Sequence, residues 1–136
     1  SYNLNTPLGS QLSRQLKAGS DVRLVNSPSE AQAILYVLGE RRSRNVVAYN
    51  AYGDAREYEL KLEVSFRLSA PDGAQYLPDT VIAAVREISY NEEDYLTRDA
   101  EEALVINEML SDIVVQMVRR IEKAQPPKQP EDLTTR

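Results

Sequence analysis

The chain has 136 residues, 42% hydrophobic and 27% charged, values that are ordinary for one soluble globular domain with a modest core. It contains no His, Cys or Trp, which excludes zinc sites built from His and Cys, thiol nucleophiles and Ser-His-Asp triads. A net charge of −5 argues against nucleic acid as a partner unless the basic residues cluster, and no apolar run approaches the roughly 20 residues of a transmembrane helix.

The first predicted element is a helix that opens at Thr6-Pro7 and stops at Gly19. Thr is a good N-cap, Pro is preferred just inside a helix start, and Gly commonly follows a helix end. Its apolar stripe has a spacing of four and consists of Leu8, Leu12 and Leu16. A short apolar run at residues 22–25 then predicts a strand.

A second strand is predicted from residue 34 to residue 49, and its polar middle at residues 40–45 indicates that it leaves the core partway. Asn50, Gly53 and Asp54 tolerate positive φ and predict a hairpin turn. Residues 58–68 then alternate strictly between apolar and polar, which predicts a strand with one buried face and one wet face. This pattern favours an antiparallel sheet that is covered on one side only.

Pro71 and Gly73 predict a turn, and a further strand follows from about residue 76 to residue 90. After an acidic loop at residues 91–96, Thr97 is predicted to cap a long helix that ends near residue 123. The apolar stripe of this helix has spacings of four and three, and it consists of Ile106, Leu110, Ile113, Met117 and Ile121.

These elements predict an α+β fold, a mostly antiparallel four-stranded sheet with two helices packed on one face, although the pattern leaves the strand order open. Residues 1–124 are predicted to form a single domain. Residues 125–136 hold three prolines among polar residues and are predicted to be a disordered tail. The residues expected to be buried together are Leu62, Phe66, Ile106, Leu110 and Ile113.

A set of basic residues is the first candidate for function, and it consists of Arg41, Arg42, Arg44 and Arg98. Arg forms bidentate contacts with phosphates, and the start of a helix adds partial positive charge, so an anionic ligand would suit this set. The alternative interpretation is that Arg41, Arg42 and Arg44 lie at a solvated strand end and that Arg98 is an ordinary surface residue. Residue identity alone favours this alternative.

Acidic residues near the start of the long helix are the second candidate: Glu92, Glu93, Asp94, Glu101 and Glu102. Paired carboxylates perform acid/base catalysis when one lies in an apolar pocket, but these lie where local electrostatics already favour acids. We therefore predict no catalytic residue, no metal site and no cofactor.

Tyrosines are the third candidate. Tyr49 and Tyr52 flank the predicted hairpin tip, and Tyr90 and Tyr95 flank the acidic loop. Exposed Tyr is typical of contact surfaces, and packing over the sheet edges explains these residues equally well.

The long helix also carries a family resemblance. Residues 95–102 and 105–109, with the helix end near residues 119–121, resemble the C-terminal helix of the LPS-assembly lipoprotein family LptE. Residues 6–12, 34–39 and 57–62 resemble that family's first helix, second strand and next strand, in the same order. The resemblance covers residues 6–123 and depends on this ordered set rather than on one motif.

The resemblance implies a non-enzymatic Gram-negative outer-membrane lipoprotein on the periplasmic side. It would plug the lumen of the β-barrel LPS translocon LptD and bind LPS. Arg98 matches a family position whose basic residue is linked with LPS contact, so the same role is expected for Arg98. The family's second basic site lies near the hairpin tip, where this chain has no basic residue before Gly53, and Arg44 and Arg56 are the substitutes by proximity.

The expected residues of the partner interface are Tyr49, Tyr52, Arg41 and Arg42. The family begins with a lipidated Cys and an extra strand that this chain lacks, so we expect an N-terminally trimmed sequence whose membrane anchor is a lipid on the missing part. The alternative function is a periplasmic peptide- or protein-binding module that adds a partner strand at its sheet edge. A third, a carboxylate hydrolase, requires a strongly raised pKa on one of the acids named above.

Overall fold

The structure is a computed structural model that describes residues 6–19, 33–90 and 95–124. These residues form α1 (Pro7–Gly19), β1 (Ile34–Tyr49), β2 (Ala55–Ser69), β3 (Gln75–Ser89) and α2 (Tyr95–Lys123). The strands form an antiparallel sheet in the order β1-β2-β3, which confirms the α+β class. The described sheet has three strands rather than the predicted four, because the strand expected at residues 22–25 lies outside the described residues, as does the tail expected after residue 124.

A side-chain cap marks the start of α1, whereas α2 begins before its predicted cap. The backbone N–H of Gly9 donates to Oγ1 of Thr6 at 3.1 Å, so Thr6 is the N-cap of α1 as predicted. The helix α2 begins at Tyr95, two residues before the predicted cap Thr97, an offset within the usual uncertainty of helix ends.

Both predicted turns are present. The side-chain Oδ1 of Asn50 accepts the backbone N–H groups of Tyr52 and Asp54, each at 2.9 Å, which closes the turn between β1 and β2. Gly53 and Gly73 have φ values of 83° and 94°, in the left-handed region where a side chain is strained. These two glycines therefore allow the chain to reverse twice without a long loop.

The core lies between the sheet and the helices. Alternate residues of β2 from Leu60 to Leu68 are at most 5% exposed, and those between them are half-buried, which confirms the predicted alternation. The helix α2 packs on β3 and β2, and α1 packs on α2. Of the predicted core set, Leu62, Phe66, Leu110 and Ile113 are buried, and Ile106 is partly buried against the same cluster.

A β-bulge in β1 decides which of its side chains face the helices. Leu38 is an extra residue in β1 relative to β2, so the register shifts there. Before the bulge, odd residues such as Val37 lie on the helix side of the sheet; after it, the even residues do as far as Val46, where the register shifts again. Arg44 therefore lies opposite Leu60 on the helix side, and Arg41 lies on the open face of the sheet.

Candidate functional site

Two arginines and two tyrosines form a row of contacts, with the tyrosines in the middle, where the sheet meets the first turn of α2. We call them the Arg–Tyr cluster: Arg44, Tyr58, Tyr90 and Arg98. The guanidinium carbon of Arg44 lies 5.0 Å from the centre of the Tyr58 ring, and that of Arg98 lies 5.1 Å from the centre of the Tyr90 ring. The two rings meet edge to face, with centres 5.6 Å apart. These contacts are cation–π and aromatic pairs of favourable geometry.

Arg56 holds Tyr90 in place from β2. The backbone N–H of Tyr90 donates to the carbonyl oxygen of Arg56 at 2.8 Å, and Nη1 of Arg56 donates to the carbonyl oxygen of Tyr90 at 3.2 Å. Tyr90 is 4% exposed. Burial, followed by the charge of Glu102, raises the pKa of the Tyr90 phenol, although the charge of Arg44 opposes the shift.

The cluster lines a cavity of about 190 Å³, and the side chains of Asp99 and Glu102 complete its wall. Nη1 of Arg44 donates to Oε2 of Glu102 at 3.2 Å, which joins β1 to α2. The cavity thus presents two guanidinium groups beside the positive end of the α2 dipole, together with two carboxylates. This arrangement is suited to an anion with several oxygens.

The structure brings together part of the predicted site. Arg98 and Arg44 lie in the cluster, and Arg56 lies directly behind Tyr90 without lining the cavity. The sequence reasoning missed the pairing of Glu102 with Arg44, although Glu102 follows Arg98 by four residues and so shares its helix face.

The predicted interface residues lie elsewhere. Arg42 is exposed on the helix side of β1, and Arg41 joins a polar groove on the open face. The other side chains that line this groove are Ser43, Asn45, Glu59, Lys61 and Glu63. In the groove, Nζ of Lys61 lies 2.9 Å from Oε1 of Glu63, and this hydrogen bond lowers the pKa of Glu63.

The hairpin tip exposes its tyrosines, since Tyr49 is 65% and Tyr52 is 90% exposed. Tyr90 is instead buried, which agrees with the alternative that this tyrosine packs against the sheet. Glu101 is exposed, while the acidic loop residues Glu92, Glu93 and Asp94 lie outside the described residues, as does the side chain of Tyr95.

Residues 6–19, 33–90 and 95–124 show neither a metal-binding cluster nor a membrane-spanning helix. In that part of the chain, no group of three or more His, Cys, Asp or Glu side chains is placed to hold a metal ion. Neither described helix combines the length and apolar character required to cross a membrane.

Three solved structures share the fold. An uncharacterized lipoprotein B from Nitrosomonas europaea, solved by NMR, matches at a TM-score of 0.75 and 24% identity, covering 87% of this chain and 76% of that chain. The rare lipoprotein B from Shewanella oneidensis matches at a TM-score of 0.74 and 19% identity, covering 86% of each chain. A minor lipoprotein from Acinetobacter baumannii matches at a TM-score of 0.71 and 23% identity, covering 93% of this chain and 90% of that chain. At such identities the likeness shows the fold alone.

No curated protein sequence matches the chain closely. The sequence profile of the LptE lipopolysaccharide-assembly family, however, matches residues 1–121, nearly the whole described domain. This match confirms the resemblance found in the helix and strand segments. The chain therefore belongs to the LptE lipopolysaccharide-assembly family, a family of non-enzymatic lipoproteins of outer-membrane biogenesis.

Proposed function

We propose that this chain plugs and supports the outer-membrane β-barrel LPS translocon LptD, and that it binds LPS during delivery to the outer leaflet. Membership of the LptE family gives the chain a role in LPS assembly. The proposal adds the partner, the ligand, and a location on the periplasmic face of the outer membrane and in the barrel lumen. The observation that carries it is the Arg–Tyr cluster.

The cluster supports LPS binding through its donors. Lipid A carries phosphates, and Arg is the side chain best suited to phosphate because its planar guanidinium donates in pairs. Arg44 and Arg98 line the same cavity, so a phosphate bound there contacts at least one of them. Stacking against Tyr58 and Tyr90 restricts the guanidinium groups and lowers the entropy lost on binding. Arg56 supports this site by positioning Tyr90.

Replacing Arg98 by Asp is expected to weaken LPS binding by about tenfold or more, because one charge-assisted contact is lost and a repulsive charge is added. The measurement is the affinity of the purified protein for LPS, with a thermal melt to verify folding. Arg119→Asp is the matched control, since Arg119 is an exposed residue near the other end of α2. Unchanged affinity in Arg98→Asp, or an equal loss in Arg119→Asp, would remove the LPS site from the cluster.

The open face of the sheet supports the plug role. Its polar groove presents charged, hydroxyl and amide groups in the centre of a flat surface. The lumen of a large outer-membrane barrel is polar, so a plug needs such a surface to replace water contacts. Tyr49 and Tyr52 at the exposed hairpin tip, with Arg41 and Arg42 on β1, are the proposed contacts.

Co-expression with the barrel protein of the same organism is expected to yield a stoichiometric complex that survives detergent. The complex would be purified through a tag on this chain. Replacing Tyr49 and Tyr52 together by Ala should reduce recovery of the barrel, because both rings are exposed contact groups. Leu104→Ala, an exposed apolar position on α2, is the control and should leave recovery unchanged.

A lone monomer that captures extended peptides would instead favour the peptide-binding alternative. The long strand β1 favours that alternative, because it lies at one edge of the described three-stranded sheet and strand addition needs an edge strand. The same purification therefore separates the two functions.

A further inference from the structure

The two edges of the described sheet differ in charge. Within the described residues, β3 has a neighbouring strand only on the β2 side, and β1 lies at the opposite edge. The middle of β1 carries charged residues that discourage pairing with another strand, namely Glu40, Arg41, Arg42 and Arg44. The β3 edge has no charged residue, Gly or Pro from residue 80 to residue 85. An uncharged edge strand of this kind is a template for pairing with a further strand.

A backbone hydrogen bond shows which residues of β3 point toward this edge. The N–H of Tyr90 donates to the carbonyl oxygen of Arg56 at 2.8 Å, so the backbone groups of Tyr90 point toward β2. This direction alternates along a strand, and the β2–β3 register has no shift from residue 80 to residue 89. The N–H and C=O groups of Val81, Ala83 and Val85 therefore point away from β2, toward the edge.

The side chains of the same three residues lie on the open face of the sheet, since Val85 and Ala83 are opposite Lys61 and Glu63 of the polar groove. Val81 is 58% and Val85 is 44% exposed. The two valines are equally spaced on either side of Ala83. An antiparallel copy of β3 with Ala83 opposite Ala83 would therefore place each Val81 opposite the Val85 of the other copy.

We propose that β3 pairs antiparallel with β3 of a second copy of this chain, with Ala83 on the two-fold axis. A two-fold dimer is the commonest closed assembly, and its interface uses the same patch on both copies. The second copy suits this edge because it brings an equally uncharged stretch and pairs β-branched side chains across the strands. The inference does not depend on the proposed contacts with LPS or with the barrel.

The charges at the ends of the pairing limit its strength. In this register Asp79 of one copy approaches Glu87 of the other, and like charges opposite each other are destabilising. A register shift between Thr80 and Leu77 ends the regular part of β3 before Asp79, and Arg67 lies 3.7 Å from the Asp79 carboxylate. We therefore expect a dimer that dissociates on dilution.

Sedimentation equilibrium of the intact chain over a range of concentrations is expected to show a monomer–dimer equilibrium. Val81→Lys should weaken the dimer by about tenfold or more, because it places a charge at both Val81–Val85 pairs. Val47→Lys is the matched control: it makes the same change at a position of β1 that is 48% exposed, and it should leave the dimer unchanged.

Cysteine cross-linking tests the register, and a single introduced Cys is unique because the chain contains none. Ala83→Cys is expected to form a disulfide-linked dimer on mild oxidation, since directly opposed residues of a hydrogen-bonded pair have Cα atoms about 5.5 Å apart. Val81→Cys should not cross-link to itself, because its two copies lie about 13 Å apart along the strands. A mixture of Val81→Cys and Val85→Cys chains should cross-link.

Three results would overturn the proposal. A monomer at every concentration would show that the β3 edge does not pair with a second copy, and capture of an extended peptide by that monomer would assign the edge to another protein. Equal weakening by Val47→Lys would place the dimer contact outside β3 or assign it to net charge. Cross-linking of Val81→Cys to itself without cross-linking of Ala83→Cys would reject the register centred on Ala83.

Discussion

Replacing Leu110 by Ala is expected to lower the free energy of unfolding by about 2–5 kcal/mol. Leu110 is 6% exposed and belongs to the same buried cluster as Phe66 and Leu62 of β2. Truncation removes apolar contact and leaves a cavity that the close-packed neighbours refill only in part. Urea denaturation of the wild-type and variant chains measures the difference.

Leu104→Ala is the matched control for Leu110→Ala, because it makes the same change on the same helix. Leu104 is 66% exposed, so its truncation should change the free energy of unfolding by about 0.5 kcal/mol or less. Similar costs at the two positions would contradict the docking of α2 on the sheet.

Replacing Tyr90 by Ala is expected to cost about 3–5 kcal/mol of stability and to abolish LPS binding at the cluster. Tyr90 is 4% exposed, packs edge to face against Tyr58, and makes a cation–π contact with the guanidinium of Arg98. Loss of the ring therefore opens the core and releases one of the two cavity arginines. The measurements are urea denaturation and LPS affinity on the same preparation.

Two further variants keep this prediction testable if Tyr90→Ala fails to fold. Tyr90→Phe keeps the ring and should retain LPS affinity within about twofold, since the ring carries the cation–π contact. Tyr58→Leu fills a half-buried position without a ring and should weaken LPS binding, because it removes the ring against which Arg44 packs. Full LPS affinity in Tyr58→Leu, with or without a folded Tyr90→Ala, would show that the rings do not support the arginines.

Local patterns predicted most of the fold. The alternation in residues 58–68 identified the buried face of β2, and the leucine stripe of α1 and the apolar stripe of α2 identified the helix faces that form the core. The turns at Gly53 and Gly73 were predictable because their positive φ demands particular residues. These features depend on neighbours within a few positions of the sequence.

Local patterns could not predict that Arg44 and Arg98 line the same cavity. Arg44 and Arg98 lie on β1 and α2, and only tertiary packing brings them to one cavity. The bulge at Leu38 makes the facing of the arginines harder to predict, because odd and even residues of β1 exchange sides of the sheet at that point. Alternation counted from Val37 would place Arg41 toward the helices and Arg44 on the open face, the reverse of the structure. A one-residue irregularity thus determines which arginine meets Glu102.

The contact between the two helices has a consequence for biosynthesis. Gln11 accepts a hydrogen bond from Oγ of Ser111 at 2.8 Å and donates one to Oδ1 of Asn107 at 3.3 Å, across separations of 100 and 96 residues. A nascent chain that emerges N-terminus first therefore displays Leu8, Leu12 and Leu16 to solvent until α2 follows. Over that interval the apolar stripe of α1 lacks its helical partner, and exposed apolar surface of this kind promotes aggregation.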